Sequence, residues 1–254
     1  MKYGNGTETF YNYEGKRRRL HTLSVSSSNY AGAKIMDNAY TYDAVDNITQ
    51  LVNSAQPQSD RMGGQMTHNY EYDEWYRLIG AQGTYIGADR KTAAYKLEMG
   101  YDKLYNMTGK KLDVSQTNVQ FDGTLFAGHD LTYNYNPENP FQLANINAKE
   151  YRSETENADT VKRNNQYTYD ANGNLLSINA DSSKQERSLL WDEENRLLSV
   201  NDNGFVSNYW YDASGERVVK TSCENENVYV NGAHAGGLTN TKKFTAYIKI
   251  HTSW

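Results

Sequence analysis

The side chains of this chain best suited to chemistry are carboxylates in short clusters. Asp192-Glu193-Glu194 sets three acids side by side. Glycoside hydrolysis needs two carboxyls about 5–9 Å apart across one bond, and adjacency on a turn does not supply that geometry. Asp170-x-Asn172-x-Asn174 repeats the alternate oxygen ligands of a calcium loop. It lacks the later bidentate carboxylate and the charge such a loop needs. His21, His68, His129, His234 and His251 are scattered, without a pair at metal-ligand spacing. No Gly-x-Ser-x-Gly elbow or phosphate-cradling glycine loop occurs. The reading is therefore of a protein that is not an enzyme, with no catalytic, metal or cofactor-binding residues and no cofactor.

What recurs instead is a phrase: an aromatic, a spacer, Tyr or Trp, then Asp. It reads Tyr40-Thr41-Tyr42-Asp43, Tyr70-Glu71-Tyr72-Asp73, Tyr167-Thr168-Tyr169-Asp170 and Tyr209-Trp210-Tyr211-Asp212. Looser copies are Met99-Gly100-Tyr101-Asp102 and Leu189-Leu190-Trp191-Asp192, with weaker ones at Tyr133–Asn136 and Tyr11–Glu14. Successive anchors lie 20 to 34 residues apart, the signature of a repeat array. The aspartate's chemistry here is local, since it can accept hydrogen bonds from the amides just ahead of it.

The elements that must position these residues are hairpins. Tyr167 and Tyr169 share one face of a strand. Asn172-Gly173 is then a strong turn signal, because both residues tolerate positive φ. Leu176 and Ile178 resume the alternation in a second strand. Four residues after each Asp comes Asn or Arg and then an aliphatic residue or Met: Asn47-Ile48, Arg77-Leu78, Asn106-Met107, Asn174-Leu175 and Arg196-Leu197. The copy at Asp212–Val218 reads as one residue longer, and that at Asn136 as stretched by Pro137 and Pro140. Tyr95, Leu97, Met99 and Tyr101 alternate with period two, so Ala88–Glu98 is predicted as strand rather than helix. None of the three prolines lies inside a strand-like run by this reading. The fold class is all-β.

Composition agrees. Of 254 residues 37% are hydrophobic, with 22 tyrosines against 6 phenylalanines. Tyrosine buries a ring but keeps its hydroxyl bonded or wet, which suits thin sheets with one face near water. The net charge of -5 provides no basic field for nucleic acid. The single basic run, Lys16–Arg19, reads as a solvated turn and strand start. One cysteine, Cys223, excludes an intrachain disulfide framework. No signal peptide is legible at the N-terminus, and no run approaches the ~18 apolar residues of a membrane-spanning helix.

The segments Tyr-x-Tyr-Asp-Ala-x-Gly-Asn-Leu at 167–175 and Tyr-Asp-Ala-x-Gly-Glu-Arg at 211–217 resemble the YD repeats of the RHS (rearrangement hot spot) family. Teneurins and the shell subunits of bacterial Tc toxins carry similar repeats. The resemblance covers roughly residues 10–220 and is clearest over 167–220. It implies an array of YD-repeat β-hairpins in a curved, spiralling antiparallel sheet, part of a hollow β-shell around a C-terminal toxic domain. It also implies a structural scaffold rather than an enzyme, toxin delivery, and secretion or cell-surface display.

Residues 1–254 are accordingly expected to form a single repeat region, with 221–254 a truncated shell segment. Neither an Asp-Pro-x-Gly closing segment nor a following domain is present, so a fragment of a larger core is expected. The implied partners are the remainder of the shell and the enclosed C-terminal domain; nucleic acid and a membrane span are not. Glycans are a second partner class, through a carbohydrate-binding surface of exposed Tyr and Trp. The expected repeat anchors are Tyr42, Asp43, Tyr72, Asp73, Tyr101, Asp102, Tyr169, Asp170, Gly173, Trp191, Asp192, Tyr211, Asp212 and Gly215. Their rings are expected to stack between neighbouring hairpins while the aspartates fix the turns.

Overall fold

A computed structural model describes residues 1–58, 63–88, 91–117, 123–155, 159–180, 185–222, 225–230 and 233–239. Cys223, His251 and the 245–254 stretch lie outside the described residues. The described residues form eighteen strands belonging to one sheet, with a single 3₁₀ turn at Ser28–Tyr30. No helix among them is long and apolar enough to cross a membrane. The chain divides into two units, Met1–Tyr133 with Ala148–Lys162, and Asn134–Asn147 with Arg163–Trp254.

The first unit holds β1 (Thr7–Tyr13), β2 (Leu20–Ser27), β3 (Lys34–Tyr42), β4 (Ile48–Asn53), β5 (Gln65–Tyr72), β6 (Leu78–Ile86), β7 (Thr92–Tyr101) and β8 (Met107–Thr117). It also holds most of β9 (Thr124–Asn136) and the end of β10 (Asn139–Ser153). From β1 to β9 each strand pairs antiparallel with the next along the chain. The period-two reading of 95–101 is realised as β7, although the strand begins at Thr92 rather than Ala88. Pro140 corrects the proline expectation, because it is the second residue of β10. There it sits beside the turn, where a missing N–H costs least.

The second unit holds the hairpin end of β9 and β10 and most of β11 (Val161–Tyr169). It continues with β12 (Leu175–Ala180), β13 (Gln185–Trp191), β14 (Leu197–Asp202), β15 (Phe205–Tyr211), β16 (Arg217–Ser222), β17 (Asn225–Val230) and β18 (Ala233–Thr239). From β11 to β18 consecutive strands again pair antiparallel.

The core is thin, as a tyrosine-rich, aliphatic-poor chain requires. The buried hydrophobic residues among those described are Ala55, Ala81, Leu125 and Ala148, and no large side chain is fully buried. Most strand residues are half-buried, so cohesion must come from ladder hydrogen bonds and from what the hairpin ends do.

Candidate functional site

Six hairpins end in the same turn. After Tyr42, the Asp43 N–H donates to the Asn47 carbonyl at 2.9 Å, Asp46 adopts a left-handed φ of 77°, and the register slips between Thr41 and Tyr42. Tyr76, Tyr105, Gly173, Asn195 and Gly215 occupy the same left-handed position in the other five turns. Each donates its N–H to the carbonyl of the aspartate three residues earlier. This is a three-residue loop, a type I turn closed by a left-handed bulge residue. The turn expected at Asn172-Gly173 is present, with the positive φ at Gly173. The shared loop corrects the reading of 212–218 as one residue longer. Tyr211 pairs with Arg217 as Tyr42 pairs with Ile48, so the loop length is the same, and Glu216 and Arg217 replace the Asn/Arg and the aliphatic residue.

Five of the six aspartates close these turns with both oxygens, and Asp212 does so through Oδ1. Asp43 Oδ1 accepts from the N–H groups of Val45 and Asn47 at 2.9 Å, and Oδ2 accepts from Asn47 Nδ2 at 2.8 Å. Asp73 does the same with Trp75, Arg77 and Arg77 Nε, and Asp102 with Leu104, Asn106 and Asn106 Nδ2. Asp170 holds Asn172 and Asn174, and Asp192 holds Glu194 and Arg196. Asp212 holds Ser214 and Glu216, and in place of a fourth-residue side chain it accepts from Ser214 Oγ at 2.6 Å.

All six carboxyls are held below the usual carboxylate range. For Asp170 the main cause is the Asn174 side chain, for Asp192 the Arg196 N–H, and for Asp212 the Ser214 hydroxyl. At Asp43, Asp73 and Asp102 desolvation is the largest single influence and pushes upward, but the donated hydrogen bonds together outweigh it. These oxygens are committed to their own turns, including those of Asp170 in the calcium-like triplet.

The aromatic before each aspartate reaches the previous hairpin. Hydroxyls of Tyr42, Tyr72, Tyr101 and Tyr211 donate to the carbonyls of Leu20, Ile48, Leu78 and Leu197 at 2.7, 2.9, 3.0 and 2.9 Å. Trp191 Nε1 donates to the Leu175 carbonyl at 2.8 Å. Tyr169 is hydrogen-bonded to the Leu143 backbone. The first five acceptors are each the opening residue of the strand leaving the previous turn. The ladders begin later, at Thr22–Ala39, Gln50–Asn69, Gly80–Glu98, Ser177–Ser188 and Ser199–Asn208. The aromatic tip thus satisfies a carbonyl that the ladder leaves unpaired, which a half-buried backbone requires.

Ring stacking between repeat tyrosines, as expected from sequence, is replaced by guanidinium contacts. The ring pairs among the described residues are His68 with Tyr70 and with Tyr95. Arg19, Arg77 and Arg196 lie over Tyr42, Tyr101 and Tyr211 of the next hairpin at 4.6, 4.8 and 5.6 Å. Arg19 and Arg77 also donate to the carbonyls of Asp43 and Asp102. A planar cation on a ring face suits Arg better than Lys. In the second unit Asn174 Nδ2 bridges instead to Asn195 Oδ1 at 2.7 Å.

Sequence reasoning gave the fourth-position Asn/Arg no partner; its fixed offset was the available signal. It also missed Glu14 with Arg19. There the Glu14 N–H donates to the Arg19 carbonyl and two guanidinium nitrogens grip the carboxylate at 2.8 and 3.0 Å, in a loop one residue longer. The basic run is a turn as read, with Arg17 on Asp46 and the Ala44 carbonyl.

Away from the turns, the first unit carries an open depression of about 710 Å³ beside Tyr95, Asp113, Phe126 and Tyr151. Asp113 is the carboxylate lining it and accepts from the Tyr151 hydroxyl at 2.8 Å. Burial first, and that bond second, push the Tyr151 phenol up to about 12.

No family model matches the chain. It is 34% identical over 85 residues to toxin subunit YenC2 of Yersinia entomophaga, covering 32% of this chain and 9% of that protein. It is 31% identical over 87 residues to toxin subunit YenC1 of the same organism, with the same coverage. The chain therefore spans about a tenth of the length of these curated relatives. Among solved structures, it aligns with TcdB2-TccC3-Cdc42 at a TM-score of 0.38 and 16% identity, covering 89% of this chain and 14% of that one. It aligns with the Photorhabdus luminescens Tc holotoxin pore at 0.37 and 14%, covering 94% and 15%. An aromatic-aspartate turn built the same way six times, in a chain similar over 85 to 87 residues to two toxin subunits, is consistent with the resemblance to RHS/YD repeats.

Proposed function

We propose that this chain is a non-enzymatic wall segment of an RHS-type β-shell, one that encloses or presents a C-terminal domain. Residues 1–254 act as one repeat region, with the repeat aromatics as hooks and the aspartates and left-handed glycines as turn formers. The observation that carries this reading is the hydrogen bond that five of the six repeat aromatics donate to the preceding hairpin's backbone. Such a bond ties neighbour to neighbour along an array, as repeat proteins need for stability, and it uses the polar groups that a catalytic site would have to leave free. The carbohydrate-binding alternative loses support at these rings, because five of the six tips are spent on carbonyls and arginines lie over Tyr42, Tyr101 and Tyr211.

The test uses the longer protein that contains this stretch. Limited proteolysis should leave its C-terminal domain protected. Tyr72→Phe with Tyr101→Phe should expose that domain without abolishing expression. A C-terminal domain cut at the same rate in both proteins would reject the container role.

A further inference from the structure

Met66, His68 and Tyr70 alternate along β5 and so share one face of it. His68 pairs in register with Gly83 of β6, and Gly83 with Tyr95 of β7. Across that glycine the His68 ring meets Tyr95, with Nδ1 2.9 Å from the phenol oxygen. A Cβ at Gly83 would lie 2.5 Å from Tyr95 Cε1 and 2.7 Å from His68 Nδ1, so only glycine lets the two meet. A glycine inside a strand weakens it and often marks a close approach. Here it admits a histidine held by a phenol.

The other ring nitrogen faces sulfur. His68 Nε2 lies 3.4 Å from Met66 Sδ. A thioether is only a weak hydrogen-bond acceptor, whereas thioether and imidazole together are soft metal donors. Ligating histidines are oriented by a hydrogen bond at their second nitrogen, the position Tyr95 holds here. In the tautomer that donates from Nδ1 to Tyr95, the Nε2 lone pair and the sulfur present two donors to one point. Metal bonds of about 2.0 Å to nitrogen and about 2.3 Å to sulfur close the 3.4 Å gap at a bent angle of roughly 105°. The Tyr70 and Tyr95 rings flank the imidazole, with centroids at 6.3 and 5.7 Å, and all four side chains are half-buried.

We propose that Met66 and His68 form a binding site for a soft monovalent cation, Cu(I) or Ag(I), with Tyr95 orienting the imidazole. The donor set does not suit harder ions. Calcium and magnesium take oxygen ligands, and structural zinc takes four ligands from thiolate, imidazole or carboxylate. No group of three His, Cys, Asp or Glu placed to hold an ion occurs among the described residues. Two protein donors leave the ion open to a third ligand, which suits uptake and transfer rather than permanent storage. Spacing between histidines does not reveal this pair, because the second donor is a methionine two residues away. The inference is independent of the wall reading, and its test does not involve a C-terminal domain.

The test uses the full chain with Cys223→Ser, which removes its one thiol, a competing soft ligand. Silver nitrate is titrated in chloride-free buffer while histidine ring nitrogens and methionine methyls are followed by NMR. Cu(I) affinity is measured by competition with bicinchoninate. One equivalent of Ag(I) should shift His68 Nε2 and the Met66 methyl together. Met66→Leu and His68→Gln should each lower Cu(I) affinity about tenfold or more. Met99→Leu removes a sulfur that faces the Tyr101 hydroxyl and should leave that affinity unchanged. Tyr95→Phe keeps both donors and should weaken binding about tenfold, the usual cost of losing an orienting partner. Urea midpoints show that each variant is folded, and the parent's NMR shifts decide the matter where one is not. The absence of a joint shift at His68 and Met66 would overturn the site. Unchanged affinity in both donor variants, or zinc bound as tightly as Ag(I), would overturn it equally.

Discussion

The Tyr72 hydroxyl donates to the Ile48 carbonyl at 2.9 Å, two residues beyond Gln50–Asn69, where the β4–β5 ladder begins. Tyr72→Phe removes this donor while keeping the ring, and leaves a half-buried carbonyl without its partner. A loss of about 1 kcal/mol is expected, read from the urea midpoint with an unchanged m-value. Tyr76→Phe is the control, since no hydrogen bond from its exposed hydroxyl is seen. Equal midpoints for Tyr72→Phe and the parent would remove the hook's contribution.

Trp191 makes the same connection through an indole N–H to the Leu175 carbonyl. The donor and not the ring identity should therefore matter. Trp191→Tyr is expected to keep more of the stability than Trp191→Phe, although Tyr and Phe differ by one oxygen. Thermal melts of the pair would show it, and a stability order with Phe above Tyr would contradict the donor argument.

These hooks show where the sequence was legible and where it was not. Alternation and turn residues placed the hairpins, and the aspartate's role follows from short-range chemistry that any isolated turn would display. The hook joins residues 14 to 24 apart through a backbone carbonyl, which carries no residue identity for a sequence to advertise. Ring stacking was the natural expectation for a tyrosine ladder. The structure instead puts arginines over Tyr42, Tyr101 and Tyr211; Arg77 and Arg196 hold the fourth position after Asp, and Arg19 closes the basic run. Tyr11–Glu14 reads as a weaker copy because Glu stands where the phrase has Asp, yet the longer side chain and Arg19 rebuild the closure across a loop one residue longer.

Acid should unfold this chain by loosening its turns. Asp43, Asp73, Asp102, Asp170, Asp192 and Asp212 all ionise more readily when folded. A carboxyl whose folded value lies below its unfolded value stabilises fully above the unfolded value, and that contribution fades as pH falls through the folded one. Stability should thus be flat near neutrality and fall from about pH 4 downward. In Asp170→Asn with Asp192→Asn the acid slope of the urea midpoint should be shallower. An identical slope would place the acid sensitivity elsewhere.

The left-handed turn position supplies a pair of opposite effects. Gly173 has φ 87°, and a Cβ built there would meet only Gln142 Nε2, at 3.9 Å. Gly173→Ala therefore costs backbone strain and not a clash, and a loss of about 1 kcal/mol is expected. Tyr76 already carries that strain at φ 63° with its ring 59% exposed. Tyr76→Asn places there the residue found at Asn195, whose short side chain tolerates this region. A gain of about 0.5–1 kcal/mol is expected. Denaturation of the two variants should move the midpoint in opposite directions. Were both to destabilise, the Tyr76 ring would be contributing to the fold.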